Sequence, residues 1–194
     1  MTEIYTRMDA YLEQNLLTTD PVLEKIARSS AENGLVPHAV TRLQAEFLAL
    51  LIRISGAESV LEIGCLGGYS AVAMARALPA HGKLLTTEID TRVAEIAQAN
   101  IDASGFGGRI ELRTGPALPV LEDEIAAGGL YDFVFIDADK VNHKRYLERA
   151  LKLSRPGSVI VADNIVRGGA VLDEASEENS VQGVRAMLAY AKTL

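Results

Sequence analysis

Apolar residues follow two alternating patterns along most of this chain. Short apolar runs predict five buried strands, at 59–63, 83–88, 110–114, 131–137 and 158–163. Between and after them, apolar residues three and four positions apart predict helices, at 70–78, 91–104, 118–127, 142–154 and 181–194. Strands separated by helices are typical of an α/β fold in which a mostly parallel central sheet carries helices on both faces.

Two further helices are predicted before the first strand. The first has Asp20 as its cap and Pro21 in its first turn, and it ends at Gly34. Its apolar stripe is Val22, Leu23, Ile26 and Ala27. The second places five apolar residues on one face: Leu43, Phe47, Leu50, Leu51 and Ile54. We expect one domain over residues 1–194, with the helices of 1–56 serving as a lid or a dimer contact.

Composition narrows the class of protein. The chain has 194 residues, of which 48% are hydrophobic and 23% are charged, which is ordinary for a globular domain. Its net charge of −7 disfavours nucleic acid as a partner. No apolar run reaches the ~20 residues that a membrane span needs, and the N-terminus does not resemble a signal peptide. With Cys65 as its single cysteine, the chain is expected to be cytoplasmic, without a membrane partner.

A glycine-rich turn follows the first predicted strand, where open parallel sheets bind ligands. Gly64, Gly67 and Gly68 allow a ligand to approach the backbone closely. Their spacing, G-x-x-G-G, does not fit the G-x-G-x-x-G fingerprint of nicotinamide dinucleotide sites. Glu62, just inside the strand, suits a cationic group such as the amino group of a methionine moiety. A dehydrogenase is therefore disfavoured.

Two later segments indicate an adenosine ligand. Glu88 ends the second strand, where a carboxylate can accept both hydroxyls of a ribose. Nicotinamide enzymes share this device, so Glu88 alone does not identify the cofactor. The segment Gly115-Pro116-Ala117 after the third strand is a weak candidate for the adenine pocket.

Acidic and amide side chains follow the fourth and fifth strands. Asp137 ends the fourth strand, and Asp163 and Asn164 end the fifth. If these strands are neighbours, the three side chains converge as an all-oxygen set that suits Mg²⁺, Mn²⁺ or Ca²⁺. Lys140 lies three residues beyond Asp137, where a cation lowers the pKa of an ammonium group. Lys140 could therefore act as a general base toward a hydroxyl bound to the cation.

These segments together closely resemble the cation-dependent O-methyltransferases, a family that includes catechol and caffeoyl-coenzyme A O-methyltransferases and small bacterial relatives. The matching motifs are 60–71, Glu88, 135–140 and 162–164, within a likeness that extends from about residue 36 to residue 194. The resemblance implies a Rossmann-like fold that binds S-adenosylmethionine, and a homodimer. It implies that Lys140 and Asp137 are catalytic and that Asp137, Asp163 and Asn164 bind the metal. The implied cofactor-binding residues are Thr41, Glu62, Gly64, Cys65, Gly68, Tyr69, Ser70, Glu88, Ile89, Ala117 and Asp137.

The chain departs from this family in two places. Bacterial relatives carry a Ser-Pro-Glu-x-Gly segment where this chain reads Thr41-Arg42-Leu43-Gln44-Ala45. Relatives also continue with a further strand pair, which we expect to be absent here.

The predicted function is transfer of a methyl group from S-adenosylmethionine to one hydroxyl of a vicinal diphenol of the catechol, caffeoyl or flavonoid type, with Mg²⁺ as the expected metal. The segment 166–179 is interpreted either as a loop beside this substrate or as a solvated surface loop. Two alternatives stay open. One is methylation of a hydroxylated uridine in tRNA, and the other is a module that binds the cofactor without turnover.

Overall fold

The protein is built on one sheet of five parallel strands. The structure, a computed structural model, describes residues 2–194, and their side chains from Ile4 onward. The strands are β1 (Ser59–Ile63), β2 (Lys83–Glu88), β3 (Ile110–Thr114), β4 (Tyr131–Ile136) and β5 (Ser154–Ala162). Their order is β3-β2-β1-β4-β5, and every neighbouring pair is parallel. The sequence order reverses at β1, so the sheet opens a crevice between the ends of β1 and its two neighbours.

Helices cover both faces of this sheet, as predicted. They are α1 (Thr2–Leu16), α2 (Pro21–Glu32), α3 (Arg42–Ser55), α4 (Tyr69–Ala77), α5 (Thr91–Ala103), α6 (Ala117–Ala126), α7 (His143–Lys152) and α8 (Asn179–Ala191). A single turn of 3-10 helix at Lys140–Asn142, here called the lysine turn, joins β4 to α7. Two more 3-10 segments lie at Gly107–Arg109 and Arg167–Leu172. Among the described residues, no helix is both long and apolar enough to span a membrane.

The alternation of side chains along the strands divides the core into two layers. Phe133 and Phe135 of β4 are buried in the layer that includes α2, α3, α4 and α5. Val134 and Ile136 of the same strand point to the other layer, with side chains of α6, α7 and α8. Both faces of the strand are apolar because both are covered, which explains its continuous apolar run.

Within residues 2–194, three helices precede β1, where two were predicted. The additional helix is α1, whose apolar residues Ile4, Tyr5, Met8 and Tyr11 are all exposed. Ile4, Met8 and Tyr11 nevertheless recur at helical spacing, so the sequence does indicate this helix, and the prediction of two helices was incomplete.

The apolar face predicted for α3 is not the buried one. Ala45, Leu48 and Ile52 are buried toward α4, whereas Phe47 and Ile54 are 56% and 74% exposed. Apolar residues occupy more than one face of this helix, and the face with the small residue Ala45 packs inward. The contact with α4 therefore decides which face of α3 is buried, and hydrophobicity alone does not distinguish the faces.

Candidate active site

Gly64 brings the glycine turn, residues 64–68, into direct contact with the loop after β4. Its φ is 102°, in the region that side chains other than glycine rarely adopt. A Cβ atom at Gly64 would lie 2.7 Å from the carbonyl oxygen of Asp137 and 2.9 Å from the amide nitrogen of Ala138. Only a glycine therefore allows the ends of β1 and β4 to meet.

The rest of the glycine turn is held between helices. A Cβ atom at Gly67 would collide with the Ser30 hydroxyl of α2, and the buried amide of Asn100 donates a hydrogen bond to the Gly67 carbonyl at 3.0 Å. Gly68, with φ of 84°, caps the start of α4. The turn thus has one fixed shape that α2, α4 and α5 share in defining.

Glu62 is fully buried beneath this turn. Its Oε2 accepts a hydrogen bond from the Thr86 hydroxyl at 2.6 Å, while its Oε1 has no hydrogen-bond partner among the described residues. Burial raises the pKa of Glu62 to about 8, and the charges of Asp137 and Glu88 add to this effect. A buried carboxyl with a free oxygen is suited to pair with a cationic group.

Glu88 is fixed in place by the backbone. Its two oxygens accept hydrogen bonds from the amides of Leu66, at 2.9 Å, and Asp90, at 3.1 Å. Each oxygen keeps a further lone pair for a ligand. Glu88 is therefore oriented, before any ligand arrives, at the end of β2.

The strands that carry the predicted metal ligands are neighbours. Ile136 of β4 is paired with Ala162 of β5, so Asp137 and Asp163 follow at the same edge of the sheet. The Asp163 amide donates to the Ile136 carbonyl at 3.0 Å, which continues the pairing past the strand ends. The Lys140 ammonium, only 9% exposed, lies 2.7 Å from Asp137 Oδ1 and 2.8 Å from the Ala138 carbonyl oxygen.

The pKa of Asp137 reflects several neighbours. Burial raises the pKa of Asp137, the Lys140 ammonium opposes this, and the charge of Asp163 raises the pKa further. Asp163 Oδ1 accepts a hydrogen bond from the Asn164 amide at 2.5 Å, and Asn164 has a left-handed φ of 56°. Among the described residues, no three His, Cys, Asp or Glu side chains gather as a metal site. The set here is two carboxylates and an amide, which fits a hard cation with open positions rather than zinc.

A cleft of about 1920 Å³ joins these two regions. Ten of the predicted site residues line it, namely Gly64, Cys65, Tyr69, Ser70, Glu88, Ile89, Ala117, Asp137, Lys140 and Asn164. Glu62, Gly68 and Asp163 are not among its lining residues, and Glu62 is buried beneath the glycine turn.

Thr41 is placed apart from this set. It is not among the lining residues, and it caps α3 instead. The Thr41 hydroxyl accepts from the Gln44 amide at 3.2 Å, and the Gln44 side chain accepts from the Thr41 amide at 2.8 Å. This reciprocal pair is a capping box, which the sequence Thr-x-x-Gln could have indicated. A role for Thr41 in cofactor binding stays a prediction.

Among the further lining residues, which the sequence did not single out as site residues, are His38, Tyr146 and Arg167. His38 makes a small electrostatic contribution that lowers the pKa of Asp137. Arg167 has a left-handed φ of 51° and donates to the Ser180 hydroxyl at 3.3 Å. His38 precedes α3 and Arg167 follows β5, and no periodic pattern identifies residues in such loops.

Comparison with known proteins places the chain among methyltransferases. The sequence model of a family described as O-methyltransferase matches residues 13–194. A catechol O-methyltransferase of Niastella koreensis is 44% identical over 184 residues, which cover 94% of this chain and 83% of that protein. A catechol O-methyltransferase of Mycobacterium tuberculosis is 40% identical over 180 residues, covering 93% and 81%. An O-methyltransferase from Bacillus cereus, solved in complex with S-adenosylhomocysteine, superposes with a TM-score of 0.96 at 42% identity and covers 100% of this chain and 89% of that one.

These matches confirm two predictions, the α/β fold of S-adenosylmethionine-dependent methyltransferases and the enzyme class. The match extends from α1 through α8, so it includes both the glycine turn and the acidic residues after β4 and β5. This chain belongs to the O-methyltransferase family.

Proposed function

We propose that this enzyme transfers a methyl group from S-adenosylmethionine to one hydroxyl of a vicinal diphenol held on a divalent cation, with Mg²⁺ as the expected metal. The observation that supports the proposal is that Asp137 and Asp163 directly follow the paired ends of β4 and β5, while Asp137, Lys140 and Asn164 line the cleft that the glycine turn also lines.

The cofactor half of the cleft supports S-adenosylmethionine as the donor. Glu62 offers a buried, unpartnered carboxyl oxygen for the cationic amino group of the methionine moiety. Glu88 offers oriented lone pairs for the ribose hydroxyls. Ile89 and Ala117 line the cleft beyond Glu88, where they suit an adenine ring. The Bacillus cereus relative, which was solved with S-adenosylhomocysteine, supports the same ligand class.

The acceptor half supports a divalent cation. Asp137, Asp163 and Asn164 would supply oxygen ligands and leave positions for two substrate oxygens. When bound, the cation lowers the pKa of a coordinated hydroxyl and aligns two adjacent oxygens. A chelating acceptor needs neighbouring hydroxyls, which favours catechol, caffeoyl and flavonoid compounds. The names of the catechol O-methyltransferases similar to this chain agree with that class.

Lys140 is positioned to receive the proton of the acceptor hydroxyl. The hydroxyl oxygen forms a bond to the methyl carbon as the carbon–sulfur bond breaks, and the proton passes to Lys140 Nζ. To accept it, Nζ must first lose its own proton to solvent and give up its ion pair with Asp137, whose carboxylate would then be free to serve as a metal ligand. The rate gain expected from a positioned base is about 10²–10⁴-fold.

The decisive experiment is a methyl-transfer assay on paired acceptors. Catechol, caffeate and a flavonoid with neighbouring hydroxyls are compared with resorcinol, whose hydroxyls are not adjacent. We expect transfer only to the vicinal diphenols, only with Mg²⁺, Mn²⁺ or Ca²⁺ present, and its loss on chelation. Activity that survives chelation, or that treats resorcinol and catechol alike, contradicts the proposal.

Lysine variants test the base. Lys140→Met is expected to lower kcat by about 10²–10⁴-fold. Lys144→Met is the matched control, because Lys144 is exposed and pairs with Glu148 only at 3.8 Å. If both variants lower kcat equally, Lys140 is not the base.

We also propose that the chain forms a homodimer through its N-terminal helices. Phe47, Leu50 and Ile54 form an exposed apolar face on α3, and exposed faces of this kind are typical of association surfaces. Analytical ultracentrifugation of the wild type and of Ile54→Glu is expected to give a dimer and a monomer, respectively. A monomeric wild type would contradict it. A cytoplasmic location stays a prediction.

A further inference from the structure

Helix α8 passes directly behind the lysine turn, and it does so at a glycine. A Cβ atom at Gly183 would lie 2.8 Å from Val141 Cα and 2.9 Å from the Lys140 carbonyl carbon, and closer still to the Lys140 carbonyl oxygen. These are backbone atoms, so no flexible side chain can swing aside to make room. The close approach of α8 to the lysine turn therefore depends on the missing side chain.

Glycine is an unfavourable choice for this position in a helix. Gly183 lies inside α8 (Asn179–Ala191), where alanine would give the more stable helix. Gly183 is buried, and so are Val181, Val184 and Met187 of the same helix. The helix is thus closely packed. Gly183 is explained by the contact with the lysine turn and not by the stability of the helix.

The lysine turn is held on its other side by side chains. Asp139 accepts a hydrogen bond from the Asn142 amide at 3.0 Å and another from the Tyr146 hydroxyl. Between these supports, Lys140 reaches Asp137 and the Ala138 carbonyl with a side chain that is only 9% exposed. A shift of the turn would move Nζ away from both.

We propose that Gly183 is a positioning residue for Lys140. Because Gly183 allows α8 to pack against the lysine turn, it determines the position of Nζ relative to the acceptor. This inference rests on the proposed function, because it assumes that Lys140 receives the acceptor proton. It adds that a residue of α8, outside the cleft lining, controls the rate of methyl transfer.

A double-mutant cycle tests the proposal. The variants are Gly183→Ala, Lys140→Met and the double substitution, each assayed with a saturating vicinal diphenol and Mg²⁺. Gly183→Ala is expected to lower kcat by at least about 10-fold, since a displacement of ~1 Å can cost about 10²-fold. The KM of the diphenol and the Kd of S-adenosylhomocysteine are expected to change less than about twofold. In the Lys140→Met background, Gly183→Ala is expected to change kcat less than about twofold, because the group that it misplaces is already gone.

Gly82→Ala is the matched control. Gly82 is also buried, and a Cβ atom there would lie 2.9 Å from Leu78 Cβ and 3.0 Å from the Glu58 carbonyl oxygen. It is not among the residues that line the cleft. We expect Gly82→Ala to lower the melting temperature while kcat stays within about twofold of the wild type.

Several outcomes would overturn the inference. One is an unchanged kcat in Gly183→Ala, which would mean that α8 moves outward and leaves the turn in place. Another is an equal loss of kcat with and without Lys140, which would indicate a general structural effect. If Gly183→Ala does not fold, Val184→Ala, which loosens the packing of α8 at a buried position outside the cleft lining, replaces it in the same cycle, with the same pattern expected.

Hydrogen exchange requires no catalysis, so it tests the role of Gly183 separately from the proposed function. Hydrogen exchange of the backbone amides of residues 138–142 is expected to be faster in Gly183→Ala than in Gly82→Ala or the wild type. If the wild type methylates no diphenol, the proposed function fails while this measurement still tests the contact. If the wild type is active and neither exchange nor kcat changes in Gly183→Ala, the inference alone fails.

Discussion

The cofactor region and the acceptor region of the cleft are stabilised in different ways. The cofactor region, which comprises the glycine turn and the ends of β1 and β2, is held by hydrogen bonds in which one partner is a backbone amide or carbonyl. Examples are Glu88 with the Leu66 amide and Asn100 with the Gly67 carbonyl. The acceptor region, at the ends of β4 and β5, is held by the ion pair of Lys140 and Asp137.

Left-handed residues that bear side chains occur in both regions, at Leu66 in the glycine turn and at Asn164 and Arg167 after β5, but the tight backbone contacts differ. In the glycine turn, the close contacts coincide with glycines. After β5, the left-handed conformation is adopted by Asn164 and Arg167, which bear side chains, as well as by Gly168 and Gly169. The backbone of the cofactor region is thus fixed by close packing before any ligand binds, whereas the acceptor region is held by the attraction of opposite charges. We expect the first to be sensitive to volume and the second to be sensitive to cations.

The largest effect is expected from Gly64→Ala, which adds a methyl group where the cofactor region has no free space. The new methyl group would overlap the Asp137 carbonyl and force a residue other than glycine to a φ of 102°. We expect a loss of about 3 kcal/mol or more in the free energy of unfolding. Affinity for S-adenosylhomocysteine is expected to fall by at least about 100-fold. Urea denaturation and calorimetric titration measure the two effects.

Gly34→Ala is the control for the strain alone. Gly34 has a φ of 69°, but a Cβ atom there would meet nothing within 4 Å. It is expected to lose about 1 kcal/mol of stability and no cofactor affinity. Equal effects in the two variants would show that backbone strain, and not contact between β1 and β4, accounts for the glycine.

Asp163→Ala perturbs the acceptor region by charge. Removing one ligand is expected to weaken Mn²⁺ binding by at least about 100-fold, measured by calorimetric titration without substrate. Because Asp163 raises the pKa of Asp137 by repulsion, its loss is not expected to destabilise the protein without metal. Affinity for S-adenosylhomocysteine is expected to stay within about twofold.

Asp173→Asn, in the loop after Asn164, is the matched control and is expected to leave Mn²⁺ binding unchanged. If Asp163→Ala weakens cofactor binding as much as metal binding, the two regions are not separable and the comparison fails.

Glu62→Gln tests the one buried acid of the cofactor region through pH. Burial raises the pKa of Glu62 from 4.5 to about 8, so between these values the folded state holds a proton that the unfolded chain has lost. The stabilisation from Glu62 is therefore complete below about pH 4.5 and declines as pH rises to about 8, by at most about 1.4 kcal/mol per pH unit. Urea denaturation of the protein without cofactor at pH 5.5, 6.5 and 7.5 is expected to show a shallower decline in Glu62→Gln than in the wild type.

The exposed Glu58 provides the control, since Glu58→Gln is expected to keep the wild-type decline. A decline in Glu62→Gln as steep as that of the wild type would mean that Glu62 is ionised in the folded protein.

The strands and the residues at their ends were predictable because a buried parallel strand leaves an apolar run with abrupt polar ends. The bounds of β1, β2 and β3 agree with the prediction. The neighbouring positions of β4 and β5 were only a condition in the sequence argument, and the structure supplies them. Asp137 and Lys140 could be chosen because they follow such an end within four residues.

What could not be predicted depends on contacts between segments far apart in the chain. Which face of α3 is buried depends on its contact with α4, and the sequence of α3 alone does not reveal that contact. Gly183 gave no signal, since a single glycine in a helix indicates a contact without naming its partner. His38 and Arg167 lie in loops, where side-chain position follows from tertiary structure alone.

The smallest effect is expected from Thr41→Ala, which tests how far the cofactor region extends. In the structure, Thr41 caps α3, so its loss is expected to cost about 1 kcal/mol of stability and to leave the Kd of S-adenosylhomocysteine unchanged. Gln44→Ala removes the other half of the same capping box and serves as the control. If Thr41→Ala alone weakens cofactor binding by about tenfold or more, then Thr41 contacts the cofactor as the family resemblance implies. The cofactor region would then extend to the start of α3, because the cap and the ligand would share one hydroxyl.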